Sequence, residues 1–152
     1  MEVGYAAGEA LHLKYILRAD LARLRIPEPR PAARTDELWR HTCFEAFLRA
    51  RTGTSYHEIN ASPSTEWAVY AFADYRQGMS PADVAPPSIH VTRTPRELVV
   101  DLHVDLKLLP PSRALALAAV IEDGSGSLSY WALKHPAAKP DFHHLGGFVL
   151  EL

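Results

Sequence analysis

At 152 residues the chain fits a single domain, long enough to bury a core without disulfide or metal staples. A formal charge of −2, from 16 basic and 18 acidic residues, provides no field for gathering phosphates, so nucleic-acid binding has no electrostatic support. Cys43 is the single cysteine, which excludes an intrachain disulfide and a thiolate metal cage. The opening residues carry no basic-then-apolar leader pattern, and no apolar run approaches the roughly 20 residues that span a bilayer. A cytoplasmic protein without a membrane partner is therefore expected. Regular patterning begins almost at once, which is consistent with a trimmed upstream segment.

Leu11, Leu13, Tyr15 and Leu17 alternate with His12, Lys14 and Arg18, the two-residue period of a half-buried strand. Pro27, Pro29 and Pro31 then force a loop or an extended edge. The stretch 36–51 supports two readings. Trp39, Cys43, Ala46, Phe47 and Ala50 recur at helical spacing behind Asp36 as a cap, and taken alone this favours a helix. Equally, Cys43 to Leu48 suits a strand buried on both faces. Gly53 breaks the chain.

Tyr56 to Ala61 reads as a strand, Ser62-Pro63-Ser64 as a turn, and Trp67 to Tyr75 as a second strand forming a hairpin-like pair. Pro81, Pro86 and Pro87 mark a long loop, and Ile89 to Thr94 opens the next strand. Leu98 to Leu106 alternates most cleanly of all and is ended by Pro110 and Pro111. Leu115 to Ile121 suits a strand or a short helix. Asp123 to Gly126 is a turn, Tyr130 to Leu133 a short strand, 135–147 a loop, and Phe148 to Leu152 a closing strand. Many short strands broken by Pro and Gly predict an all-β sandwich or barrel over 1–152, with at most short helical turns.

Three motifs carry a resemblance that covers the chain from about Leu11 to Leu152. They are Leu38-Trp39-Arg40-His41-Thr42-Cys43-Phe44-Glu45-Ala46-Phe47, Tyr56-His57-Glu58-Ile59-Asn60-Ala61-Ser62-Pro63, and Tyr130-Trp131-Ala132-Leu133-Lys134-His135-Pro136 with 139–144. Together they resemble the DOMON-like bacterial proteins, a group related to the carbohydrate-binding module family 9 superfamily. The resemblance implies a jelly-roll-like β-sandwich, with Cys43 to Leu48 as a strand. Related domains bind sugars or haem. In the sugar binders two tryptophans clamp the sugar and a glutamate hydrogen-bonds it. By resemblance Trp39 is the first clamp residue, Glu45 the glutamate and Trp131 the second clamp residue. Where those proteins carry an arginine, this chain has Glu58, which changes the donors available.

The residues allow such a site on their own chemistry. Sugar rings have apolar C–H faces that stack on indole, and hydroxyls that need a few placed polar groups. Trp39 and Trp131 offer the first, and Arg40, Glu45, Glu58 and Asn60 the second, with Lys134 nearby. The plainer reading is that the tryptophans fill the core. Glu45, set among apolar neighbours, calls for a partner such as Arg40, His41, Arg49 or Lys134, or for a ligand. Alternation puts Tyr56, Glu58 and Asn60 on one face, toward a cleft or solvent if Ile59 faces the core.

His135, Asp141, His143 and His144 are candidate metal ligands, although adjacent histidines point apart and solvated loop histidines are the default. Haem would need a Met/His pair, for which Met79 is the only internal methionine. No catalytic signature is present. Ser62 and Ser125 lack nucleophile-elbow flanks, Cys43 and His41 do not form a dyad by spacing, and Glu45 with Glu58 is a minor glycosidase candidate. The expected function is a non-catalytic binding domain for a saccharide or other small polar ligand. The alternatives are a structural or protein-interaction sandwich, including a homodimer through a sheet edge, and a haem-binding domain.

Overall fold

The computed structural model describes residues 2–6, 10–107, 109 and 111–152. Eleven strands follow one another among these residues. They are β1 (Glu2–Ala6), β2 (Ala10–Arg18), β3 (Cys43–Ala50), β4 (Tyr56–Ala61), β5 (Trp67–Phe72), β6 (Ser80–Pro81), β7 (Ser88–Arg93), β8 (Glu97–Asp105), β9 (Ser112–Glu122), β10 (Leu128–Ala132) and β11 (Leu150–Glu151). Single 3-10 turns at Leu21–Arg23, Leu38–Arg40 and Leu145–Gly147 are the helical content.

Two sheets form. The smaller has the order β1-β2-β8-β7, and the larger β10-β9-β3-β4-β5-β6, with β11 beside β10 on the same edge of β9. All of these pairings are antiparallel. The expected all-β sandwich is what the chain makes.

The register explains the core. β2 and β8 alternate buried and exposed positions, and Leu11, Leu13, Tyr15 and Leu17 lie directly opposite Val104, Leu102, Val100 and Leu98. Their shared face packs on Phe44, Ala46, Leu48, Ile59, Val69, Leu115 and Leu117 of the larger sheet. Removing such side chains from water stabilises the fold by about 1.5–3 kcal/mol each. One polar link crosses the layers: the Tyr15 hydroxyl donates to the Glu45 carbonyl at 2.8 Å. The polar faces of β2 and β8 stay in water.

The larger sheet behaves differently, because both of its faces are covered. Every residue of β3 but Arg49 is buried. Phe44, Ala46 and Leu48 point into the sandwich, while Cys43 and Phe47 join Tyr56, Ala68, Tyr70, Phe72, Ala116 and Ala118 in a second apolar cluster on the outer face. Leu38, Trp39, Phe142 and Phe148 cover that cluster.

This resolves the stretch 36–51. The helical expectation is wrong, and residues 43–50 are a strand preceded by the 3-10 turn. The apparent helical spacing arose because a strand buried on both sides is apolar at nearly every position. For the same reason Ser112–Glu122 is a strand rather than a short helix. The closing strand is shorter than expected, at Leu150–Glu151, because Phe148 belongs to the cover of the outer face. Pro110, placed with Pro111 at the end of β8, lies outside the described residues.

Burial predicts unequal costs for two isoleucines. Ile59→Ala removes a side chain with no exposure from between the sheets and should lower the unfolding free energy by about 2–5 kcal/mol. Ile89→Ala, half-buried on the edge strand β7, should cost less than half as much, since the site can collapse. Urea denaturation of both variants checks the ordering.

Candidate functional site

The outer face of the larger sheet is covered by two segments. Residues 24–42 cross one part of it, held by Trp67 N–H donating to the Ala33 carbonyl at 3.0 Å and Thr35 N–H donating to the Trp67 carbonyl at 2.9 Å. They seat Trp39 edge-on against Tyr70, with ring centres 5.7 Å apart. The Tyr70 hydroxyl donates to Asp36 at 2.6 Å, and Arg34 pairs with Asp36 at 3.1 Å. The second segment, 133–149, links β10 to β11 and lays Phe142, His143 and Phe148 over Phe47 and Tyr56.

Between the two covers a cleft of about 540 Å³ remains. Trp39, Phe72, Tyr130 and Phe142 give it aromatic walls, and Met79 and Val120 add apolar surface. Glu45 of β3 and Glu58 of β4 bring carboxyl groups to it, and Arg40, Arg76 and His143 complete its polar groups. A cleft of this size, mostly apolar with a few polar groups, is typical of a small-molecule site.

The carboxyls are the unusual feature. Glu45 is 3% exposed, and its Oε1 is buried without any hydrogen-bond partner. Such an orphan costs about 1–3 kcal/mol. Burial, and secondarily the charge of Glu58, hold the Glu45 carboxyl well above the usual carboxylate range. Glu58 is also raised by burial, though less, because the Asn60 amide donates to its Oε1 at 2.8 Å and Arg76 lies near. Asn60 in turn faces the Cys43 thiol, with Sγ 3.7 Å from Oδ1. The site therefore holds two carboxyls in a place that favours their neutral forms.

A chain of contacts fixes the second cover beside Glu58. Asp141 accepts from the Tyr75 hydroxyl at 2.6 Å, from Arg76 Nη2 at 2.9 Å and from the His143 N–H at 3.2 Å. Burial would raise the Asp141 carboxyl, but these donors outweigh it and hold the group below its ordinary range. Arg76 adopts a left-handed backbone, φ 51, in the turn after β5. Gly78 makes that turn possible, because a Cβ there would meet the Ala73 Cβ at 2.9 Å and its own φ is +66.

The Arg76 N–H donates to the Tyr56 hydroxyl at 3.2 Å, and the ring nitrogen Nδ1 of His143 lies 2.8 Å from the same oxygen. A hydroxyl that accepts from Arg76 is free to donate to Nδ1, which places the imidazole proton on Nε2, 3.8 Å from Glu58 Oε2. Burial first, then Arg76, push His143 down to about 4, so it is neutral at pH 7.

Several expected site residues meet here and others do not. Trp39, Arg40, Glu45 and Glu58 line the cleft. Asn60 is buried beneath it as the partner of Glu58. Trp131 does not line it. In β10 it is paired with Ala119, an inner-face residue, while its neighbour Tyr130 is paired with Val120 and turns toward the cleft. Alternation thus makes Tyr130 the second aromatic wall, and the one-residue shift could have been read from the Val120 register alone had the pairing been known. Lys134 lies away from the cleft, beside Asp141 and Phe142.

None of the four expected partners pairs with Glu45. Arg40 pairs with Glu37 at 2.8 Å, and His41 with Glu122 at 2.7 Å. Tyr56 faces neither cleft nor solvent, being fully buried under His143 and Phe148. Met79 is half-exposed at the cleft.

Among the described residues, no three of the candidate metal ligands come together. His144 Nδ1 accepts from the Gly146 N–H, His135 lies against Phe142, and Asp141 is taken by Arg76 and Tyr75. His143 is mostly buried rather than solvated. Arg76, Phe72, Tyr130 and Phe142 went unforeseen because strand and loop are brought together only by folding.

No family model matches the chain, and no curated protein is significantly similar to it in sequence. A solved structure does resemble it: a Bacteroides uniformis protein provisionally described as carbohydrate-binding, with a TM-score of 0.62 and 12% identity. The match covers 93% of this chain and 72% of that one. At that identity the likeness is one of fold.

Two pH effects of opposite sign follow. Burial raises the Glu45 carboxyl in the folded state, so its contribution fades as pH rises above the unfolded carboxylate range. Glu45→Gln should therefore gain melting temperature relative to the parent as pH climbs from about 5 to 8. His143 must stay neutral, so the parent loses stability as pH falls from 6.5 toward 4, and His143→Gln should lose less. Melting curves across pH read both, and an NMR titration midpoint near 6.5 for His143 would contradict the second.

Proposed function

We propose that the chain is a non-catalytic, DOMON-like domain of the type related to carbohydrate-binding module family 9, and that its cleft takes a saccharide or similar small polar ligand. One observation carries this reading: aromatic walls from Trp39, Phe72, Tyr130 and Phe142 stand around the carboxyl groups of Glu45 and Glu58 in a single cleft. A pyranose presents C–H groups to aromatic faces and hydroxyls to its rim. Burial raises the Glu45 carboxyl, and a protonated carboxyl donates as well as accepts, which suits hydroxyls that do both. The fold shared with the Bacteroides uniformis protein supports the reading at the level of architecture. Glu45 and Glu58 are also the kind of carboxyl pair a glycosidase uses, so reducing-sugar release from the same saccharides separates turnover from the binding proposed here.

A protein-interaction role is the second reading. Trp131 and Leu133 are about half-exposed on and beside the edge strand β10, where an added strand or a second copy would find both backbone and apolar contacts. Haem is the third; Met79 and His143 both line the cleft, but His143 would have to leave Tyr56 or Glu58 to act as an axial ligand. Haem titration reads that in the Soret band.

Calorimetric titration with a saccharide panel tests the first reading. Trp39→Ala should weaken the best-binding saccharide by about tenfold or more, the loss of one stacked aromatic contact with its buried area. Trp131→Ala should leave that affinity within about twofold. The reverse pattern would move the site to the β10 edge.

A further inference from the structure

The cleft contains more carboxyl groups than free cations. Arg40 is held by Glu37 at 2.8 Å and Arg76 by Asp141 at 2.9 Å, so each positive charge already has its counterion. His143 is neutral, with Nδ1 engaged by Tyr56. Within hydrogen-bond distance Glu45 and Glu58 have one donor between them, the Asn60 amide at 2.8 Å from Glu58 Oε1, with His143 Nε2 standing off at 3.8 Å from Glu58 Oε2. Glu45 Oε1 has none, although the residue is buried and lines the cleft. A buried oxygen without a partner beside a cleft is a place where a ligand donor fits.

Resting on the saccharide reading of the cleft, we propose that its ligand is an amino sugar whose free ammonium group sits against Glu45 and Glu58. An ammonium brings three donors at one atom, enough to reach the bare Oε1 of Glu45 and a Glu58 oxygen together. A hydroxyl brings one donor, and an acetamide N–H also one, with added bulk. Charge-assisted hydrogen bonds in a part-dry cleft are the stronger kind. The lining acts in the same direction, since Trp39, Tyr130 and Phe142 are electron-rich rings of the kind that favour a cation.

The proton balance is simple. Burial raises the Glu45 carboxyl in the free cleft; where it carries a proton, that proton leaves to solvent as R–NH₃⁺ meets the carboxylate. Affinity should therefore rise with pH through the range in which Glu45 ionises, until the ligand's own ammonium begins to lose its proton. The groups that face Glu45 are Glu58 from β4, Cys43 on its own strand, Tyr15 beneath it from β2, and Arg40, Arg76 and His143 from the covering turns. Only Glu58 adds a second carboxyl to the same locus.

The test uses the full chain and three β-1,4-linked trisaccharides that differ only at C2, as hydroxyl, acetamide or ammonium. Titration calorimetry in two buffers of different ionisation heat gives affinity and proton release together. The ammonium trisaccharide should bind at least about tenfold tighter than the hydroxyl one, the value of one charge-assisted bond, and should release protons. In Glu45→Gln that margin should fall to about twofold. The unmodified protein decides the matter even if the variant does not fold. Equal binding of the hydroxyl trisaccharide overturns the amino-sugar inference and leaves the saccharide reading standing. Trilysine binding as tightly as the ammonium trisaccharide also overturns it, since charge alone would then suffice. No binding of any of the three, nor of other saccharides, overturns both.

Discussion

Strand alternation places Glu45 on the outer face of the larger sheet, between Cys43 and Phe47, where both neighbours are buried. The rest of the molecule is arranged around that constraint. β3 is apolar in both directions, so its sheet needs a cover on each side. The smaller sheet is one cover. Loops form the other, and loops close less completely than a sheet. Where residues 24–42 and 133–149 fail to meet, a cleft opens onto the one position of the outer face of β3 that carries a buried carboxyl.

The second cover is held by polar contacts rather than by strand pairing. Asp141 binds Tyr75 and Arg76, Arg76 binds Tyr56 through its backbone, and Tyr56 meets His143 beside Glu58. These residues come from three separate stretches of chain. The left-handed backbone of Arg76 is unfavourable for a residue with a Cβ, by about 1–2 kcal/mol, and persists because both its N–H and its guanidinium are engaged. The same contacts that close the outer face thus fix one rim of the cleft and keep His143 neutral. Structure and proposed function share their determinants here, so changes at Asp141 or Arg76 would act on both.

The sandwich was legible because the smaller sheet keeps one face in water. β2 and β8 show a clean period of two, and their buried faces are the ones alternation predicts. β3 and β9 were ambiguous for a physical reason, since double-sided burial erases the alternation that distinguishes strand from helix. Around the cleft, Trp39, Glu45 and Glu58 were legible as candidates because they sit in local motifs with their own chemistry. Tyr130 lines the cleft rather than its neighbour Trp131, because facing depends on register with β9, which a single strand does not reveal. Arg76 and His143 lie 67 residues apart in sequence, and only the fold makes them neighbours. The cations proposed for Glu45 were wrong for a related reason: Glu37 and Glu122 were closer claimants for Arg40 and His41.

A saccharide entering the cleft between the two covers would reach the carboxyls on β3 and β4. NMR chemical-shift mapping during titration with the tightest-binding saccharide tests this most directly. The shifts should concentrate on the Trp39 indole, the side chains of Glu45 and Glu58, and the rings of Tyr130 and Phe142, while Trp131 and the smaller sheet stay unmoved. Shifts gathered on Trp131 and Leu133 along the β10 edge, or on the exposed face of β2 and β8, would contradict it.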